Sequence, residues 1–306
     1  MKRRLKDYFI ISLKGVAMGA ADVVPGVSGG TIAFISGIYE ELISSINKVN
    51  LNTFKILKKD GFNAMWKSVN GNFLISLLIG IAVSIVSLAK VIRYLLETQP
   101  ILVWSFFFGL VLASILYVAK QITKWHLGTI LLLILGGVLA YYITTLTPQT
   151  AEISYPYILF SGALAICAMI LPGISGSYIL LLLGVYRPVL DAIHEKDLKI
   201  IGTLMLGAVV GILSFSRLLK WLFDHYKDLT LATLTGFIIG SLNKIWPWKN
   251  ILESEMINGK LKILSEESIM PYNFKGENQL YMAILLAVIG FLFILFLEKL
   301  ATKKEI

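Results

Sequence analysis

The chain has 306 residues, 57 % of them apolar and only 15 % charged, whereas soluble proteins carry about 25 % charged residues. A soluble globule cannot cover that much apolar side chain, so the composition describes a polytopic membrane protein. One cysteine excludes a disulfide framework and a cysteine-based metal centre, and the scattered His126, His194 and His225 give no basis for a zinc or haem site. No metal or cofactor is expected. A net charge of +9 invites a nucleic-acid reading, but in a membrane chain excess Lys and Arg marks cytoplasmic loops. The expected partner is therefore the lipid bilayer and not nucleic acid.

The opening Lys2-Arg3-Arg4-Leu5-Lys6 followed by apolar residues is similar to a signal peptide. Lys14 and Asp22 interrupt its apolar stretch, and a version of the segment recurs later in the chain, so a retained segment is expected. Apolar stretches at 8–24 and 27–46 are separated by Pro25-Gly26 and predict a re-entrant hairpin of two shorter helices over 8–46. Two full spans would give the same sidedness. The loop 47–72 sets Phe54, Leu57, Phe62, Met65, Trp66 and Val69 among five lysines, which suits amphipathic segments on an anionic leaflet.

Spans follow at 73–96, 101–119 and 127–146, each long enough for a helix to cross the hydrocarbon. A second hairpin over 157–193, split at Pro172-Gly173, precedes spans at 200–223, 229–246 and 280–297. Between the last two, loop 244–279 opens with Trp246-Pro247-Trp248, an interfacial aromatic pair, and its Asn258-Gly259 suits the turn of a small hairpin. With the N-terminus inside, the cytoplasmic pieces hold 18 of the 28 basic residues, while loop 244–279 balances five Lys with five Glu. The positive-inside rule then puts both termini in the cytoplasm.

The chain also contains itself twice. At an offset of 147, Gly15, Pro25, Gly26, Ser28, Gly29, Gly37 and Tyr39 match Gly162, Pro172, Gly173, Ser175, Gly176, Gly184 and Tyr186. At an offset of 127, Gly80, Ser87 and Gly109 match Gly207, Ser214 and Gly236, and Lys90 and Arg93 meet Arg217 and Lys220. Repeat 1 spans 1–146 and repeat 2 spans 157–306, each one hairpin plus three spans. Three is odd, so the second copy is inverted. The expected fold is an all-α polytopic membrane protein of two inverted-topology repeats. In transporters of this plan the broken elements meet near the midplane. A purely structural duplication is the plainer alternative.

The shared turns carry the candidate site. In Pro25-Gly26-Val27-Ser28-Gly29-Gly30-Thr31, proline ends the incoming helix, glycine permits a tight turn, and Ser28 is placed to cap the outgoing helix, whose free N–H groups favour an anion. Pro172-Gly173-Ile174-Ser175-Gly176-Ser177 repeats the arrangement. Two such turns predict a phosphate-type anion site, although ordinary serine-capped helix breaks have the same sequence. Asp22 lies three residues before Pro25, where a carboxylate is costly, and its counterpart is Met169, so it suits a coupling or gating group, carrying a proton or pairing with a base such as Lys14. Glu40 and Arg187 align at the far ends of the hairpins and are candidates for the same role, alongside the plainer role of solvated helix ends. The pairs Lys90/Arg93 and Arg217/Lys220, each one helical turn apart, are candidates for recruiting a head group at either mouth, and equally for snorkelling anchors. No P-loop, H-E-x-x-H or G-x-S-x-G pattern is present.

On the run Gly19 to Thr31, on Leu171 to Gly176 and on the two Gly-x-Tyr signatures, the chain resembles the bacterial PopT-like family, which is associated with polyprenyl-phosphate translocation. The resemblance covers almost the whole length. It implies a flippase, not an enzyme, that returns undecaprenyl phosphate from the outer to the inner leaflet of the plasma membrane for cell-wall synthesis. Integral-membrane undecaprenyl-diphosphate phosphatases are also similar, with inverted repeats and a Pro-Gly-x-Ser loop. Their loop continues with an arginine, whereas Gly29-Gly30 and Gly176-Ser177 follow the serines here, and Glu40-Glu41 are adjacent instead of one helical turn apart. The groups needed to activate a nucleophile are missing. A transporter or channel for a small soluble anion is the other alternative; an open lateral groove would favour lipid.

Overall fold

The computed structural model describes residues 3–24, 27–148, 153–257 and 260–302. Among these are thirteen α-helices and one antiparallel two-stranded ribbon. The first hairpin begins with α1 (Leu5–Val23), which ends where Val24 turns extended ahead of Pro25, as the residue before a proline must. The return arm is shorter than the expected single helix over 27–46. It is split into α2 (Gly29–Ile35) and α3 (Tyr39–Asn47).

The split has a local cause. Gly37 sits at φ 71°, its N–H bonds to the carbonyl of Phe34, and the next N–H, of Ile38, bonds to that of Ala33, both at 3.0 Å. This is the Schellman cap, which needs a residue in the left-handed region. The second hairpin repeats it. There α8 (Tyr155–Ile170) is followed by α9 (Gly176–Leu182) and α10 (Tyr186–Glu195). Gly184 at φ 69° closes α9 through Gly184 N to Leu181 O and Val185 N to Leu180 O. The chain bends by 105° between α9 and α10. The Gly-x-Tyr signature thus marks a second break in each hairpin.

Among the described residues four helices are long and apolar enough to span a bilayer: α5 (Gly71–Thr98), α6 (Pro100–Ala119), α7 (Leu127–Thr145) and α11 (Leu198–His225). The stretch 229–246 forms α12 (Lys227–Ser241) and then tightens into a 3-10 turn over Leu242–Ile245. The last apolar stretch, 280–297, lies in α13 (Leu280–Thr302). Loop 47–72 holds α4 (Leu51–Ser68), kinked at Gly61, with Phe54 and Phe62 exposed.

Packing pairs α1 with α5, α8 with α11, α6 with α13 and α7 with α12. The sequence-matched glycines lie at these crossings. A methyl added at Gly15 would land on the carbonyl oxygen of Leu77, and one at Gly80 on that of Ser12; at Gly162 and Gly207 it would meet those of Leu204 and Leu159. In lipid, where apolar contact alone drives little association, such small-residue approach is what holds helices together.

The two ends of the bundle differ. At the basic end, Arg3 pairs with Glu41 at 2.6 Å and Lys227 with Glu40 at 2.7 Å, and Asp228 accepts the Thr123 N–H at 2.8 Å. The other end carries a lobe that departs from the all-α expectation. Here β1 (Lys249–Ile257) pairs with β2 (Lys260–Ser268). The Asn258-Gly259 turn lies outside the described residues. The two tryptophans also differ from an interfacial pair. Trp248 is buried with Ile101 and Ala283, and the indole N–H groups of Trp246 and Trp248 donate to the carbonyls of Ile269 and Asn278, both at 2.8 Å. They clamp the lobe to the helices.

Candidate functional site at the crossing of the broken helices

Pro25 and Gly26 lie outside the described residues. The rest of the first turn is buried and reaches the second. Ser28 caps α2 by accepting the Gly30 N–H at 3.1 Å, and its hydroxyl donates toward the carbonyls of Met169 at 3.0 Å and Leu171 at 3.2 Å. Thr31 accepts the N–H of Gly173 at 3.0 Å. Gly30 is the contact point, since a methyl there would strike the carbonyl of Ile170. The two Pro-Gly turns therefore touch through hydrogen bonds between residues more than 140 positions apart.

Asp22 supplies an acceptor from within the protein. Its Oδ1 accepts the Gly29 N–H at 2.7 Å, at the start of α2. Lys14 takes the other end, where its ammonium donates to the carbonyl of Ser36 at 2.5 Å. Eight residues of helix separate the two along α1, about 12 Å. Acid at the N-terminus and base at the C-terminus both complement the helix dipole. The first turn is thus self-satisfied: Val27, Ser28, Gly29, Gly30 and Thr31 are all buried.

The second turn is not. Pro172, Gly173, Ile174 and Gly176 are buried, with Gly173 at φ 88°, but Ser175 is only half-buried and Ser177 is exposed. Ser175 makes no cap bond. Its Oγ lies 3.0 Å from that of Ser177, and Met169 provides no carboxylate where the first copy has Asp22. Two hydroxyls therefore face outward from this copy alone.

Beside the crossing runs a lateral groove of about 460 Å³ between α7, α11 and α12. Leu132, Leu171, Phe215, Leu222, Tyr226 and Phe237 are among its walls. The same Leu171 offers its carbonyl to Ser28. A second, charged cleft of about 260 Å³ at the basic end brings together Glu40, Glu41, Lys220 and Asp224.

The remaining charged candidates separate. Glu40 pairs with Lys227 at the basic end, whereas Arg187, exposed at the start of α10, lies beside the Val185–Ile200 cluster near the first turns of α11. The structure does not bring them together. Lys90, Arg93 and Arg217 are exposed on outer helix faces, while Lys220 turns into the charged cleft and pairs with Asp224 at 2.5 Å. Sequence reasoning missed Lys244, Lys249, Glu266 and Tyr178, which meet between the lobe and the second turn. A loop with equal Lys and Glu gives no signal of which residues converge.

These features define a multi-pass helical membrane protein in which two broken hairpins interlock beside an apolar groove. The chain belongs to the VCA0040-like, undecaprenyl phosphate translocase-like family, which it matches over residues 18–262. It is 47 % identical over 308 residues to the polyprenyl-phosphate transporter of Vibrio cholerae serotype O1, covering 99 % of this chain and 100 % of that one. It is 35 % identical over 255 residues to the polyprenyl-phosphate transporter of Staphylococcus aureus, covering 77 % and 85 %. No solved structure matches the chain.

Proposed function

We propose that this protein moves a polyprenyl phosphate, undecaprenyl phosphate or a close relative, from the outer to the inner leaflet of the bacterial plasma membrane. The groove carries the reading. It is lined almost entirely by apolar side chains and includes Leu171, whose carbonyl meets Ser28 at the crossing of the two turns, so an isoprenoid tail fits beside a polar path for the head group. A soluble anion would need no such groove. A bare phosphate faces an idealised Born cost of order 20 kcal/mol on entering hydrocarbon, and the outward hydroxyls of Ser175 and Ser177 offer it bonds at membrane depth.

In this reading the halves 1–146 and 157–306 are inverted repeats, and both termini are cytoplasmic, at the basic end. Ser28, engaged here by protein carbonyls, exchanges them for phosphate when the two copies swap conformations, as inverted repeats do in alternating access. Asp22 then gates the first turn by occupying the amide a phosphate would use. The relatives' names as transporters and the absence of an arginine after either serine support transport over phosphate hydrolysis.

The test is transfer of undecaprenyl phosphate between leaflets of liposomes holding the purified protein, with released inorganic phosphate measured in the same sample. Transfer without release supports the proposal. Release of phosphate, or no transfer by folded protein, refutes it.

A further inference from the structure

Between the lobe and the second turn, two ammonium groups converge on a single carboxylate oxygen. Lys249 Nζ lies 2.6 Å and Lys244 Nζ 2.9 Å from Glu266 Oε1. All three side chains are largely buried, at 10 %, 17 % and 17 % exposure for Lys249, Lys244 and Glu266. The surplus positive charge meets the carbonyl of Lys244, to which Lys249 donates at 2.5 Å, and two aromatic faces. Trp104 lies 5.1 Å from Lys249 and Tyr178 4.6 Å from Lys244. Buried charge is costly unless paired. Lys249 begins β1 and pairs across the ribbon with Glu266 of β2, while Lys244, just after α12, ties the same carboxylate to the helices, so two positive charges share one negative charge.

The position is as specific as the charge. Tyr178 follows Ser177 in the chain, and its hydroxyl, with a single proton to donate, lies 3.2 Å from three acceptors, the carbonyls of Ile143, Thr144 and Leu146. Gly173 packs against Ser241, three residues before Lys244. Lys244 lies against the ring of Tyr178, the residue that follows Ser177. Glu266 comes from β2 and Lys249 from β1, both outside the spanning helices, while Lys244 follows α12.

We propose that Lys244 and Lys249 form a receptor for a phosphate monoester dianion at the lobe end, with Glu266 as the tethered carboxylate that a phosphate displaces on its way to Ser175 and Ser177. The receptor deepens, and rests on, the proposed transport of a phosphate-bearing lipid. A dianion balances two ammonium groups where one carboxylate balances half of them, and charge-assisted bonds to phosphate are the strong kind. Glu266 is a true anion in the resting state: burial would raise its pKa, but the two neighbouring ammonium groups outweigh burial and hold it below the ordinary value.

Binding of farnesyl phosphate, farnesol and inorganic phosphate to the full-length protein in detergent, measured by calorimetry, tests this. Lys244→Gln and Lys249→Gln should each weaken both phosphates about tenfold or more, the loss of one charge-assisted bond. Glu266→Gln should tighten them by removing the competitor. Farnesol should not depend on either lysine. Tighter binding of farnesyl phosphate than of inorganic phosphate assigns the site to a lipid head group, and equal binding assigns it to phosphate from either source.

Should the single lysine variants misfold, the double variant Lys249→Gln/Glu266→Gln removes a balanced pair and is compared with Glu266→Gln alone. A merely structural bridge predicts the same phosphate binding from both, whereas the receptor predicts weaker binding from the double variant. Unchanged binding in folded lysine variants, or weakening by Glu266→Gln, overturns the receptor. The liposome assay separates the two claims. Wild-type transfer by lysine variants overturns the receptor alone, and lysine-dependent binding by a wild-type protein that transfers nothing overturns the transport reading alone.

Discussion

Replacing Ser28 by alanine separates the roles of the two matched serines. In the first copy the hydroxyl accepts the Gly30 N–H and donates across the crossing to Met169 or Leu171. Loss of a helix N-cap costs about 1 kcal/mol, and a side-chain hydrogen bond between helices in lipid is worth about 0.6 kcal/mol. Together Ser28→Ala should destabilise the protein by about 1.5 kcal/mol, roughly tenfold in the folding equilibrium. In the second copy the Ser175 hydroxyl bonds only that of Ser177 among the described residues, and Ser175→Ala should stay within about 0.5 kcal/mol of wild type. Both variants should slow leaflet transfer, Ser28→Ala with a loss of stability and Ser175→Ala without one. Denaturant unfolding of both proteins in matched detergent, alongside the liposome assay, measures each quantity. Equal destabilisation by the two substitutions would refute the asymmetry argued from these contacts.

Gly30→Val forces a branched side chain onto the carbonyl of Ile170, and overpacking of this kind costs about 1–3 kcal/mol; a lowered melting temperature checks it. Leu132→Trp should fill the apolar groove and abolish lipid transfer while leaving inorganic phosphate binding unchanged, and loss of both would count against a separate tail path. Burial pushes the Lys249 ammonium down to about 8 despite Glu266. A lysine whose pKa is lowered loses its proton as pH rises, so phosphate binding should fall as pH passes through about 8, where a phosphate monoester, with its second pKa near about 6, is already dianionic. Lys249→Arg stays charged and should flatten that fall; a profile of the same shape in both proteins would assign the pH dependence elsewhere.

Much of the architecture follows from sequence because lipid leaves a chain few choices. Backbone groups in hydrocarbon must be satisfied internally, so the long apolar runs at 73–96, 101–119, 127–146 and 200–223 had to become helices, and they did as α5, α6, α7 and α11. Pro25 and Pro172 ended their helices for covalent reasons. Gly37 and Gly184 carried a signal that went unused, because the left-handed cap they make closes a helix inside an otherwise unbroken apolar run. The lobe's hairpin is legible from Asn258-Gly259, but the burial of Trp248 is not, because composition does not say which way an indole faces.

The candidate site divides along the same line. Sequence by itself determined that two Pro-Gly-x-Ser-Gly turns exist and that Asp22 belongs to one of them, since these are properties of local backbone chemistry and of one side chain. Only the tertiary structure decided that Ser28 is consumed by carbonyls of the other half, that Asp22 fills the amide at the start of α2, and that Ser175 and Ser177 are left facing outward. It also decided that Lys244, Lys249 and Glu266 converge beside Tyr178. Hydrogen bonds and ion pairs between residues far apart in the chain depend on how helices cross, and the crossings are set by close-packed backbone contacts such as Gly15 on Leu77 and Gly162 on Leu204. A linear pattern can supply the glycines for such contacts but cannot name what they touch.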